Sequence, residues 1–355
     1  MDRFRLLIRA DATAALGTGH VMRCIALAQA WRAATGGEPV FASAGELAPG
    51  LRARVETAGG RVCTLGPVVP GGADDRAAFC RLIRALRPQR VVVDCYAVDE
   101  AYQRGVTEAG VPFLMLDDHR NQVAFCSDWV LNQNLHASEA FYASVRGAPR
   151  YLLGPRHALL RREFVERGAP QRDPARRVRE LLVTPGGSDP HNVTELCVAA
   201  VAKLGDFGLH TTAVLGPSVA DADAVAARLR GLLPPARLTV ARDVRDMYPL
   251  MARADVAITA AGSTTLETSF MGLPSLWVVV ADNQVDQAEA AAAAGMAELL
   301  GAAPGLTPES VARALEALLQ DPDRRAAYAR RSQLACDGRG AERVVRSMLD
   351  DGRAS

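Results

Sequence analysis

Residues 4–31 read F-R-L-L-I-R-A-D-A-T-A-A-L-G-T-G-H-V-M-R-C-I-A-L-A-Q-A-W. The run Phe4–Ile8 is apolar on both faces, Gly17 and Gly19 mark a seam, and a helical pattern follows from Val21 to Trp31. A strand apolar on both faces is covered by helices on both sides, as in parallel sheets. The stretch is therefore read as the first strand–helix step of an open α/β sheet.

Working outward, the same alternation repeats. Strands are expected at Phe4–Ile8, Pro39–Ser43, Arg61–Leu65, Arg90–Asp94, Pro112–Leu116 and Asp128–Asn132, with helices starting near Val21, Leu47, Asp74 and Asp99. The alternation breaks over residues 133–178, which are rich in arginine, glycine and proline. The stretch Gly168–Arg177 has no apolar period and reads as a linker. A second series begins at Glu180–Thr184 and continues with His210–Leu215, Arg237–Val240, Asp255–Thr259 and Pro274–Val280. Its helices are expected at Asn192–Leu204, Asp221–Leu232, Val244–Arg253, Thr264–Met271 and Val285–Ala294, with more helix from Thr307 onward. The expected fold class is α/β: two doubly wound Rossmann-like domains with an interdomain cleft. The expected boundaries are 1–157 for the first domain, 158–178 for the linker and 179–355 for the second domain with its C-terminal helices.

Composition bounds the function. The chain has 355 residues, 49% apolar and 23% charged, with a formal net charge of +1. That balance points to no nucleic-acid or membrane partner. Seven scattered cysteines form no C-x-x-C pair and no disulfide framework. Leu6–Ile8 is too short for a signal-peptide core, and the expectation is a cytoplasmic protein.

In doubly wound sheets ligands lie beyond the carboxyl ends of the strands, so the seams carry the most weight. The first seam is G-T-G-H, residues 17–20, which lacks the third glycine of a dinucleotide fingerprint. His20 falls at the first turn of a helix, where the dipole disfavours an imidazolium and keeps a base neutral; capping is the alternative role. The second seam holds Asp94 and Tyr96, the third Asp117, Asp118 and His119, the fourth Asn132 and Asn134. Three adjacent residues on an extended segment point in opposite directions, so 117–119 are read as structuring a loop and no metal or cofactor is expected. In the second half, T-P-G-G-S-D-P (184–190) and A-A-G-S-T-T-L-E (260–267) are glycine turns leading into helices. Free backbone amides there suit a phosphate. Glu267 either accepts ribose hydroxyls or completes a capping box with Ser263 or Thr264.

The ordered motifs R-A-D-x(5)-G-T-G-H-V-M-R, V-D-C-Y, L-D-D, L-N-Q-N, A-L-L-R-R-E-F, G-G-S-D-P, A-A-G-S-T-T-L-E and D-N-Q-V-D-Q-A resemble a family of UDP-sugar hydrolases. These are the UDP-2,4-diacetamido-2,4,6-trideoxy-β-L-altropyranose hydrolases of pseudaminic acid biosynthesis, including proteins labelled spore-coat polysaccharide biosynthesis protein G. The resemblance runs from Arg9 to Ala288. Its C-terminal motifs are shared with the lipid II-forming N-acetylglucosaminyltransferases. It implies a glycosyltransferase-B fold, a small-molecule UDP-sugar substrate, water as co-substrate and hydrolysis without a metal. His20 would be the base or water-positioning residue, with Tyr96 and Asn132 as further catalytic positions. Arg9, Asp11, Gly17, Gly19, Arg23, Asp117 and Asn134 would line the substrate site. Gly186, Gly187, Ser188, Thr264, Thr265 and Glu267 would hold the nucleotide, and Asn283, Gln284 and Gln287 would border the sugar. Cys95 before the tyrosine departs from the family pattern and leaves the sugar open.

The expected reaction is attack at the anomeric carbon, His20 taking the proton and helix N-termini receiving the charge that develops on UDP. Transfer to a sugar or lipid acceptor is the alternative on the same scaffold, and a non-catalytic nucleotide-sugar binder is a third reading. Fold alone does not separate them.

Overall fold

Leu6, Ile8 and Ala10 belong to one buried cluster and Leu7 to another. That split is the period-two alternation of a strand covered on both faces. It places β1 (Arg5–Ala10) at the centre of a sheet. The computed structural model describes residues 4–13, 17–173, 175–187, 189–205, 207–242 and 244–350. They divide into two units, one of residues 1–162 with 338–355, the other of residues 163–337.

In the first unit β1 is followed by α1 (Gly19–Thr35), β2 (Glu38–Ser43), α2 (Pro49–Thr57), β3 (Arg61–Thr64), α3 (Ala73–Leu86), β4 (Arg90–Asp94) and α4 (Glu100–Glu108). Then come β5 (Phe113–Leu116), β6 (Trp129–Asn132) and β7 (Arg150–Leu153). Among the described residues the sheet has seven strands in the order β3-β2-β1-β4-β5-β6-β7, every neighbouring pair parallel. One face packs α1 and α2 through Leu27, Trp31, Leu51 and Val55. The other packs α3 and α4 through Phe79, Ile83, Tyr102 and Val106. Strand order reverses between β1 and β4, where the crevice of an open α/β sheet forms.

Helix α5 (Arg162–Arg167) begins at the division. The second unit continues with β8 (Glu180–Thr184), α6 (Val193–Lys203), β9 (His210–Leu215), α7 (Ala222–Leu232), β10 (Leu238–Arg242), α8 (Tyr248–Arg253) and β11 (Val256–Ala260). It ends with α9 (Thr264–Phe270), β12 (Ser275–Val279), α10 (Val285–Ala293), β13 (Glu298–Ala302), α11 (Pro308–Gln320) and α12 (Pro322–Ala335). Its sheet, again parallel, has the order β10-β9-β8-β11-β12-β13, with the reversal between β8 and β11. Thr307 and Ser310 cap α11 reciprocally at 3.2 and 3.1 Å, a device worth about 1 kcal/mol.

One boundary differs from the sequence expectation. The last helix, α13 (Gly340–Leu349), returns to the first unit instead of ending the second. Val344, Val345 and Met348 are at most 1% exposed, and burying each stabilises the docking by about 1.5–3 kcal/mol. Gly340 is required there: a Cβ would stand 2.3 Å from the Ala158 carbonyl oxygen. The division at 162/163 falls inside the expected linker 158–178. The Arg172 guanidinium is buried and donates to the carbonyls of Met271, Ala254 and Met251, stapling this stretch to the second unit. Burial draws its pKa down to about 10, with Asp255 opposing. Strands β7 and β13 were not expected from the sequence. Among the described residues no helix is long and apolar enough to cross a membrane.

Candidate active site

In the first unit, Ala10 and Asp94 pair across the parallel register of β1 and β4. The chain leaves β1 and re-enters at the start of α1, so the first turn of that helix stands over the end of β4. This puts His20 against Asp94, with Nδ1 2.5 Å from Oδ1. The same nitrogen lies 3.4 Å from Arg23 Nη2, so the shorter contact assigns its proton to Asp94. Nε2 is then the nitrogen left to accept a proton.

Arg23, one turn into α1, grips Asp94 with two bonds, Nε to Oδ2 at 2.7 Å and Nη2 to Oδ1 at 2.6 Å. Its third nitrogen, Nη1, donates to Asp118 Oδ2 at 2.6 Å. Tyr96 donates its hydroxyl to the same oxygen at 2.5 Å, and Asn134 Nδ2 donates to Oδ1 at 3.1 Å. The Tyr96 ring meets His20 edge-on at 4.4 Å and His119 at 4.7 Å. Burial works against both carboxylates. Arg23 and His20 outweigh it at Asp94, and Arg23 with the Tyr96 hydroxyl does so at Asp118, holding both below their ordinary range. Burial and the Asp118 charge push the Tyr96 phenol well up, which keeps it protonated and donating.

Two carboxylates therefore face one guanidinium, and the His20 imidazole stands beside one uncompensated negative charge. The arrangement suits a base: a carboxylate orients the ring and receives the imidazolium that forms when Nε2 takes a proton.

Several expected site residues lie elsewhere. Arg9 is 0% exposed and sits on the other side of β1. Its Nε and Nη2 donate to Asp75 on α3 at 3.0 and 2.6 Å, and Nη1 is 2.7 Å from Asp11. The Asp11 carboxylate also accepts from the Ala44 amide at 2.8 Å. Arg9 thus anchors the far face, with no surface left for substrate. Asn132 is 0% exposed, donates to the Tyr142 hydroxyl at 2.9 Å and accepts from the Asn134 amide at 3.1 Å. It supports the turn that presents Asn134 and does not reach His20. Asp117 accepts from Tyr142 at 2.7 Å and from the Arg120 amide at 2.9 Å. Arg23, expected to touch substrate, is spent on Asp94 and Asp118. Gly17 (φ 70°) and Gly19 flank the entry to α1 as expected.

Asp94 and Asp118 stand at the seams named from the sequence but were given no site role there, and strand parity is the signal that singles them out. Leu6, Ile8, Ala10, Val92, Leu114 and Leu116 all face the side that packs α1. Asp94 is two residues after Val92 and Asp118 two after Leu116, so both emerge on the side of His20. Asp117 follows the parity of Met115 and meets Tyr142 on the opposite side.

In the second unit the two glycine turns follow β8 and β11, the pair at the sheet's reversal. They are not equivalent. After β8, Gly186 (φ 113°) and Gly187 lead to Asp189, whose carboxylate accepts from the amides of Val193 and Thr194 at 2.7 and 3.0 Å and from the Thr194 hydroxyl at 2.6 Å. The N-terminus of α6 is thus filled from within. Gly216 lets the turn be backed closely: a Cβ there would stand 2.3 Å from the Gly187 carbonyl oxygen. Ser188 lies outside the described residues.

After β11, Ser263 at the start of α9 makes no side-chain cap bond, and the amides of Thr265 and Leu266 bond the carbonyls of Gly262 and Ser263 at 3.0 and 3.1 Å. Thr265 is buried and donates to the Gly262 carbonyl at 2.6 Å, and Gln287 Nε2 lies 3.5 Å from its hydroxyl. Gln284 accepts from the Val280 amide at 3.0 Å. Thr264 is half-buried and Asn283 exposed. Among the described residues no group of three or more His, Cys, Asp and Glu side chains is placed to hold a metal.

Comparison with known proteins bears on both units. Residues 185–344 match the glycosyltransferase family 28 C-terminal domain. An uncharacterized protein of Methanocaldococcus jannaschii is 24% identical over 288 residues, 80% of this chain but only 57% of its own length. The spore coat polysaccharide biosynthesis protein SpsG of Bacillus subtilis is 24% identical over 245 residues, 69% of this chain and 71% of its own. Among solved structures, Acinetobacter baumannii MurG matches with a TM-score of 0.68 at 15% identity, covering 97% of this chain and 98% of that one. A UDP co-structure of Staphylococcus aureus MnaA matches with a TM-score of 0.65 at 13% identity, covering 96% and 94%. The two parallel-sheet units together have the glycosyltransferase-B fold, with a C-terminal part like that of family 28.

Proposed function

We propose that the protein hydrolyses a UDP-linked amino sugar at the anomeric carbon, releasing UDP and the free sugar, with His20 as the base. The observation that carries this is the His20–Asp94 contact of 2.5 Å at the strand-order reversal of the first unit. The resemblance to the UDP-diacetamido-trideoxy-altropyranose hydrolases supports a diacetamido-trideoxy sugar on the route to a nonulosonic acid, and the similarity to SpsG fits a role in polysaccharide biosynthesis.

In this reading Nε2 removes a proton from water as its oxygen bonds to the anomeric carbon and the bond to UDP breaks. Asp94 faces the imidazolium so formed. Tyr96 presents its hydroxyl oxygen as an acceptor, its proton being held by Asp118. We assign UDP to the second unit: no Ser263 side-chain bond caps the start of α9, whose dipole favours an anion, and Glu267 on its first turn suits ribose hydroxyls. Gly186 and Gly187 supply further backbone, Thr264 a hydroxyl, and Asn283 an amide toward the sugar. Water is favoured as acceptor because the His20 side chain is only 8% exposed, with the Tyr96 ring against it. That small opening admits water more readily than a sugar hydroxyl.

Transfer to a second molecule is the other reading, favoured by the family 28 match and the likeness to MurG, which fit it at least as well as hydrolysis. Incubation with a panel of UDP-amino sugars, assayed for free UDP with no acceptor present, separates the two. Hydrolysis predicts UDP release from at least one member. Release only after an acceptor is added would establish transfer instead.

A further inference from the structure

We propose that Asp118 is a positioning residue that, through Arg23, sets how strongly the His20–Asp94 pair holds a proton. This deepens the reading of His20 as the base and rests on it. The Arg23 guanidinium is shared: two bonds to Asp94 at 2.7 and 2.6 Å, one to Asp118 at 2.6 Å. Asp94 and the Arg23 side chain are 0% and 10% exposed, so solvent screens this charge little. With Asp118 ionised, Arg23 is over-neutralised, and the negative charge left over is available to an imidazolium at His20. Without it, Arg23 and Asp94 cancel, and that charge is gone.

The other groups around the ring do not supply the same effect. Cys24 donates its thiol to Asp94 Oδ2 at 3.5 Å, and burial keeps that thiol protonated. Tyr96 is neutral and uses its hydroxyl proton on Asp118. His119 meets the Tyr96 ring edge-on at 4.7 Å, with no contact to Asp94. Asn134 fixes the second oxygen of Asp118 at 3.1 Å, so the carboxylate is held by three donors from three segments. That arrangement holds one charge at one place, which is what a positioning role requires.

The test compares wild type, Asp118→Asn, Asp118→Glu and Tyr96→Phe. The His20 Cε1–H signal, identified by its loss in His20→Ala, is followed by NMR against pH. Asp118→Asn keeps the shape and removes the charge. It lowers the affinity of His20 for a proton about three- to tenfold and moves the acid limb of turnover to lower pH. Its kcat falls more than KM changes. Asp118→Glu restores most of the wild-type position. Tyr96→Phe removes one hydrogen bond without altering charge and leaves the His20 midpoint in place. If Asn disturbs folding, Asp118→Ser removes the same charge with a smaller side chain.

An unmoved His20 midpoint in a folded, charge-free variant overturns the proposal. So does a Tyr96→Phe shift as large as that of Asp118→Asn, since hydrogen bonding would then carry the coupling. The titration needs no substrate. A shifted midpoint with no turnover of any sugar nucleotide would sink the proposed function and leave the coupling standing.

Discussion

The two units share a fold and a strand-order reversal but place opposite chemistry at it. In the first, the ends of β1, β4 and β5 bring together an imidazole, two carboxylates, a guanidinium and a phenol, nearly all buried. In the second, the ends of β8 and β11 offer glycines, hydroxyls and backbone amides, with Glu267 one turn into α9. Titratable groups held close together can move a proton. Glycine turns and small residues can approach a phosphate without committing a counter-charge. Under the proposed function the difference becomes a division of labour, with one unit reacting and the other holding the nucleotide.

The comparison breaks most visibly at His20. If the first unit alone reacts, His20→Ala lowers turnover by about 10²–10⁴-fold and leaves UDP affinity by calorimetry unchanged. Near-normal turnover would remove the histidine from the chemistry. A stability measurement comes next. Asp94→Asn leaves Arg23 without its main partner, and breaking such a buried pair costs about 3–5 kcal/mol, read from urea melts at neutral pH. The sign of the pH dependence follows from the lowered carboxylates at Asp94 and Asp118. Their stabilisation is fully present above the unfolded carboxylate range near pH 4 and is lost as pH falls below it. Wild type therefore weakens below about pH 4, and Asp94→Asn flattens that slope. An equal slope in both would mean that the pair does not govern acid stability.

The second unit supplies a smaller effect. Glu267→Ala weakens UDP binding about 10–100-fold, as expected for hydrogen bonds to a charged acceptor, while the His20 titration stays where it was. Unchanged UDP affinity would place the ribose elsewhere. The smallest expected effect is none: exhaustive EDTA treatment leaves turnover intact, because amides and helix dipoles take the charge on UDP. Loss on EDTA with recovery on Mg²⁺ would contradict the metal-free reading.

Much of this was legible in the sequence. Strands apolar on both faces announced two parallel sheets, and the glycine–histidine seam pointed to His20. Strands β7 and β13 escaped notice because R-Y-L-L and E-L-L-G-A are short edge segments with little apolar pattern. The docking of α13 escaped because an amphipathic helix declares an apolar face but not the surface it covers. In the site, the sequence favoured Asp117 over Asp118, Arg9 as a substrate contact and Asn132 as a catalytic position. Neighbouring strand residues point to opposite sides, so the choice turns on parity across three strands. Likewise, Asp189 fills the N-terminus of α6 through a bend that the glycine motif does not reveal.

The central claim is that His20 directs water to the anomeric carbon, and reaction in ¹⁸O-labelled water tests it most directly. The claim predicts that all label appears in the released sugar and none in UDP, with UDP formed in the absence of any acceptor. Label in UDP would mean attack on phosphorus and would contradict the placement of the base. Absence of UDP release until an acceptor is supplied would contradict hydrolysis itself.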